Sequence, residues 1–266
     1  MNRRFTIWAL ILVAAILSVQ CSTEKSEVPE IPSSIEQFFK PGSYSDGIGV
    51  LNYQECEFQF SRSGKLPLVL VLHGQYANGS DNKKQLGQSA IIHLWNYFNT
   101  NGINTIMLAP QCPAGSNWGE NPEQYNRLTM PERLKNMLDS YISKRADIDT
   151  SRIYIIGYTD GHNPSGAGGV WRMLSEYTDL FASGVVLSSE PDESISPSKV
   201  AHTPVLFIKS VVSDSEAAIT LDTFGDFVRD KGGIFREVVI SESSREEFYR
   251  KAFSAENLSW AMQHTK

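Results

Sequence analysis

Ile153 to Trp171 reads IYIIGYTDGHNPSGAGGVW: a short β-branched apolar run that stops at Gly157, then the small-residue run Ser165-Gly166-Ala167-Gly168-Gly169. The first part has the length and composition of a buried strand, and the second opens a helix. Between them, Gly157-Tyr158-Thr159-Asp160-Gly161 has the frame Gly-x-Ser-x-Gly, in which the third residue is pushed off the end of a strand towards backbone N–H donors. Here the third residue is Thr159. A strand that turns straight into a helix is half of a parallel crossover unit, so the flanking sequence should alternate in the same way.

It does. Leu66 to Leu72 (LPLVLVL) is a continuous apolar run, as expected of a strand covered on both faces, and Val50 to Phe60 alternates like a half-exposed antiparallel strand. Further strands are expected at Thr105 to Leu108, Gly184 to Leu187, Pro204 to Ile208 and Phe235 to Ile240. Helices are expected over Lys84 to Phe98, Pro131 to Lys144, Ala167 to Glu176 and Glu216 to Asp230, with two more at the end of the chain. This order predicts an α/β fold with a mostly parallel central sheet and helices on both faces, Leu66–Leu72 and Ile153–Ile156 being neighbouring central strands. Function is expected at the carboxyl ends of the strands. With 266 residues, 41% hydrophobic and 20% charged, one domain of this kind is sufficient.

Residues 1–20 read as a signal peptide: Arg3 and Arg4 precede an apolar run from Ile7 to Val19 that is short for a membrane span. Residues 21–35 read as a polar tether and residues 36–266 as the folded domain. Cys21 directly follows the apolar run and resembles the acylated cysteine of a bacterial lipoprotein, although Gln20 stands where a small residue is usual. That resemblance implies a cell-envelope protein held to a lipid membrane through Cys21. The formal charge is −6, and −8 without the first twenty residues and their two arginines, which disfavours nucleic acid as a partner. Of the other cysteines, Cys56 and Cys112 form either one bridge or two separate buried thiols. No clustered histidines or further cysteines support a metal site, and no cofactor is implied.

Val69 to Leu86 (VLVLHGQYANGSDNKKQL) resembles the His-Gly segment of the esterase and phospholipase branch of the α/β-hydrolases related to prolyl oligopeptidases. The likeness continues through Leu108-Ala109-Pro110-Gln111-Cys112-Pro113 with Trp118, through Asp149 to Gly157, and through Tyr177-Thr178-Asp179-Leu180-Phe181-Ala182. It implies an α/β-hydrolase fold and, for an active member, a carboxylic-ester hydrolase. Backbone N–H groups at Gln75 and Asp160 would form the oxyanion hole. Thr159, Asp214 and Glu246 fall at the nucleophile, acid and base positions, and His73 reads as structural.

Two of those three positions are unsuited to the family's chemistry. A β-branched Thr159 fits poorly in a strained turn, and Gly157 to Trp171 is five residues longer than the family pattern, so the strain is expected to be gone. A carboxylate at Glu246 is a weak acceptor for a hydroxyl proton and a poor source of one for a leaving group. His162 and Ser165, inside the insert, are the alternative base and nucleophile, with Ser165 more simply read as a helix cap; Asp214 is equally a helix cap. His264 is too far along the chain. The reading is therefore of a pseudoenzyme that binds a small-molecule or sugar ligand, or a protein partner, in a pocket lined by Tyr76, Trp118, Tyr158 and His162. The alternative is an active ester hydrolase with a non-standard nucleophile and base.

Overall fold

The computed structural model describes residues 34–61, 64–121, 123, 127–160, 165–210, 217–242 and 244–266. Residues 1–20, nearly all of the 21–35 tether, Cys21, His162 and Asp214 lie outside them. Eight strands form one sheet in the order β1-β2-β4-β3-β5-β6-β7-β8. They are β1 (Lys40–Ser45), β2 (Val50–Phe58), β3 (Leu66–Leu72), β4 (Thr105–Pro110), β5 (Ile148–Tyr158), β6 (Ser183–Leu187), β7 (Val205–Ser210) and β8 (Phe235–Ile240). β2 runs antiparallel to β1 and β4, and every other pairing is parallel.

β3 lies between β4 and β5, with Leu70 opposite Leu108 on one side and Ile155 on the other. All seven of its residues are buried, as the unbroken apolar run requires. The side chains alternate between two cores. Leu68, Leu70 and Leu72 face a cluster built with α2 (Met130–Ser143), α3 (Ser165–Glu176), α4 (Pro197–Val200) and α5 (Ala217–Asp230). Val69 and Val71 face another built with α1 (Ser89–Thr100), α6 (Arg245–Ala252) and α7 (Ala255–Met262). Each such aliphatic side chain contributes about 1.5–3 kcal/mol by leaving water.

The helix expected over Lys84 to Phe98 is broken in two. Lys84–Gly87 is a 3-10 turn, Gln88 is extended, and α1 starts at Ser89. The turn is held by Gln85, whose amide donates to the Asn82 side chain at 2.8 Å. α2 starts where Thr129 and Glu132 form a reciprocal capping box around Pro131. β1 was not foreseen, because Lys-Pro-Gly-Ser-Tyr-Ser lacks an apolar alternation; it is an edge strand on which Gly42 accommodates the Tyr53 ring. Ile35 is fully buried, so core packing begins within the segment expected to be a tether.

Candidate active site

The carboxyl ends of β3 and β5 meet the first turn of α3. A Cβ on Gly166 would come 2.2 Å from the Leu72 carbonyl oxygen, and one on Gly157 would come 2.2 Å from the Gly166 carbonyl oxygen. Only glycines allow the helix to sit this close to the strands. The start of α3 is thus seated directly on the strand ends.

Thr159 follows β5 in unstrained backbone. Among the described residues the non-glycine positions with positive φ are Asn82 and Ser188, and Thr159 is not one of them. Its Oγ1 is buried without a hydrogen-bond partner. A nucleophile needs a proton acceptor within reach, and none of the described residues serves Thr159 in that role.

The next residue turns its own side chain into the expected oxyanion arrangement. The Asp160 side chain, 3% exposed, turns back onto the chain after β3 and accepts from the Tyr76 N–H, 3.4 Å from Oδ1 and 3.3 Å from Oδ2. The N–H groups of Gln75 and of Asp160 itself also stabilise its negative charge. The Gln75 and Tyr76 donors belong to the short turn Gln75–Ala77, whose first N–H groups have no partner within the turn. The backbone groups expected to receive a substrate oxygen therefore face a carboxylate of the same chain. Burial pushes the Asp160 carboxyl above its ordinary range, opposed by the backbone donors and by Arg245.

His73 is a framework residue. It is buried, its Nδ1–H donates to the Gly74 carbonyl at 2.6 Å, and its Nε2 accepts from the Cys112 N–H at 2.9 Å. Both nitrogens are used in the neutral tautomer, and burial pushes its pKa down to about 4. Trp118 packs edge-on to this ring and donates to the His73 carbonyl at 3.2 Å. The Asp81-Asn82 pair is equally structural. Asp81 accepts from the Lys83 and Lys84 N–H groups and from Gln111, which hold it at a pKa of about 2.

Glu246, at the expected base position, is 63% exposed in its side chain and turned towards α1. Its Oε1 accepts from the Ser89 hydroxyl and its Oε2 meets His93 Nε2 at 2.8 Å. Ser89 and His93 are one helical turn apart, so they present one face to α6. This Ser-Glu-His cluster was not recognised from sequence, because its members lie 157 and 153 positions apart.

No family model matches the sequence, and no curated protein matches it. Solved structures do. A thermostable esterase superposes with a TM-score of 0.72 at 19% identity over 87% of this chain and 64% of its own. The feruloyl esterase module from Clostridium thermocellum gives 0.60 at 12% identity, over 87% of this chain and 90% of its own. S-formylglutathione hydrolase from Staphylococcus aureus gives 0.59 at 11% identity, over 84% and 98%.

The chain has the α/β-hydrolase fold.

On this hydrolase fold the expected ligand pocket is not formed as predicted. Trp118 and Tyr158 are 0% and 1% exposed and belong to the two cores, whereas Tyr76 is 68% exposed and projects into solvent. The Tyr158 hydroxyl is buried without a partner. Large aromatics near a strand end read equally as lining or as core, and here packing decided for core. Ser165 is likewise not the cap it was expected to be: it is the first residue of α3, 2% exposed, with an unpartnered hydroxyl. His264 lies beside the opposite end of β5, its carbonyl accepting from Tyr154 at 3.0 Å. Cys56 and Cys112 are both free and buried, so the two-thiol reading holds.

The hydrolase fold does carry a cleft of about 490 Å³ beyond Trp118, lined by Asn117, Glu120, Asn121, Arg172, Asp192 and Ser194 among others. Arg172 is held there by Asp192 at 3.1 Å and by the Ser194 hydroxyl at 2.7 Å. Gly119 permits the cleft loop to press on α3, since a Cβ there would be 3.1 Å from the Gly168 carbonyl carbon.

Proposed function

We propose that this α/β-hydrolase-fold domain is catalytically degenerate and acts by binding, on an exported chain anchored to a bacterial envelope membrane through Cys21. The carrying observation is Glu246: the residue aligned with the family's base accepts from Ser89 and His93, leaving Thr159 with an unpartnered hydroxyl in unstrained backbone. Without a base, a threonine hydroxyl is a weak nucleophile at neutral pH. The ligand is a hydroxyl-rich molecule such as a sugar, taken in the cleft beside Arg172. Amides, carboxylates and a guanidinium there offer the mixed donors and acceptors that hydroxyl groups need.

The deciding measurement is turnover of short-chain aryl esters together with fluorophosphonate labelling. Background turnover and no labelled Thr159 or Ser165 are expected. The likeness to esterase structures favours a second reading, an ester hydrolase using Ser165 or Thr159 with His162. Stoichiometric labelling abolished by His162→Ala would establish it. Binding is read separately by thermal shift with neutral monosaccharides, in wild type and in Asp192→Ala. The anchor is read by fatty-acid labelling of wild type against Cys21→Ser, with equal labelling of both refuting it.

A further inference from the structure

The Tyr76 N–H donates to both oxygens of the Asp160 carboxylate, which is 3% exposed, and the backbone N–H groups of Gln75 and Asp160 also favour its charged form. Converging backbone donors from two chain segments form an anion-binding concavity. Around the same strand ends, the hydroxyls of Tyr158, Thr159 and Ser165 are buried with no partner.

We propose that Asp160 is a built-in ligand of an anion site, occupying the place of an external carboxylate or tetrahedral oxyanion and closing the site to such molecules. The inference concerns the same strand ends as the proposed loss of catalysis and deepens that reading, but its test reads occupancy of the donors and not turnover. Its chemistry is simple. A carboxylate presents two oxygens to several N–H groups, and a small free carboxylate such as formate has the same shape without the tether. Removing the Asp160 side chain leaves the Tyr76 N–H without its carboxylate partner, and formate can take that place.

The experiment is thermal denaturation of wild type and Asp160→Gly in sodium formate against sodium chloride at equal ionic strength. A ligand that binds only the folded state raises stability with the logarithm of its concentration. Asp160→Gly should gain about 5 °C or more at a hundredfold excess of formate over its dissociation constant, and wild type should respond equally to both salts. Equal responses of the variant to formate and chloride would overturn the proposal. Should the variant not fold, amide proton shifts in the wild type decide: those of Gln75 and Tyr76 should move together with the titration of the Asp160 carboxyl. Shifts that stay constant through that titration overturn it as well.

Discussion

Gly74 and Asp160 fit together only because residue 74 has no side chain: a Cβ there would come 2.1 Å from the Asp160 Cγ and 2.2 Å from its Oδ1. The requirement is steric, since Gly74 has φ −72° and ψ 172°, values that any residue adopts. Gly74→Ala should therefore destabilise the protein by about 1–3 kcal/mol, the usual cost of overpacking. In the background of Asp160→Gly the same substitution should be nearly neutral. Urea denaturation of the four proteins of this double-mutant cycle measures the coupling, and additive effects would show that the two residues do not compete for space.

If the domain is degenerate as proposed, a serine at the nucleophile position alone should achieve nothing. Thr159→Ser supplies a serine hydroxyl, but Asp160 still faces the backbone donors and no base is added. Aryl-ester turnover should stay at background. Glu246→His in addition breaks the contacts to Ser89 and His93 without clearing Asp160, so recovery should remain far below the roughly 10⁶-fold that a complete triad provides. Substantial turnover by the double variant would mean that Asp160 yields to substrate.

Two groups, the buried His73 and the partly buried Glu176, pull the pH dependence of stability in opposite directions. His73 is held down to about 4 chiefly by burial, against an ordinary value of 6.5. Between those values the unfolded chain binds the extra proton, so stability is lost as pH falls from 6.5 towards 4. Glu176 is pushed up to about 7 from 4.5, again chiefly by burial, with Glu132 adding to the shift and Arg172 and Lys199 opposing it. In that window the folded chain holds the proton, so stability is lost as pH rises from 4.5 through 7. Over pH 4.5–6.5 the two effects offset one another. Glu176→Gln should remove one of them, leaving a loss on the order of 1 kcal/mol per pH unit on acidification, measured by urea denaturation across this range. A curve parallel to wild type would exclude Glu176 as a contributor.

The two described thiols should be inert in the native protein. Burial raises the Cys56 pKa to about 11 and lifts that of Cys112 further above its ordinary range. Thiolate is the reactive form, so neither should react with a thiol-specific reagent until the protein unfolds. Under denaturing, non-reducing conditions both should titrate as free. Failure to find them would indicate a bridge.

Sequence by itself determined the layered architecture, because its signals are local. The unbroken run Leu66–Leu72 requires cover on both faces, and the alternation of strands with helices requires crossovers; β3 is accordingly central, flanked by β4 and β5. The framework role of His73 was implied by the resemblance to esterases and is met by its two buried hydrogen bonds, and the β-branch of Thr159 already argued for an unstrained backbone there. What only tertiary structure decided depends on which groups meet. Asp160 reads as a backbone donor in a five-residue motif, yet its carboxylate reaches Tyr76, 84 positions away, and occupies the donors it was expected to help form. Trp118 and Tyr158 have the chemistry of a pocket lining, but burial removed them from it. Helical spacing puts Ser89 and His93 on one face, but only the packing of α6 on α1 brings Glu246 to them.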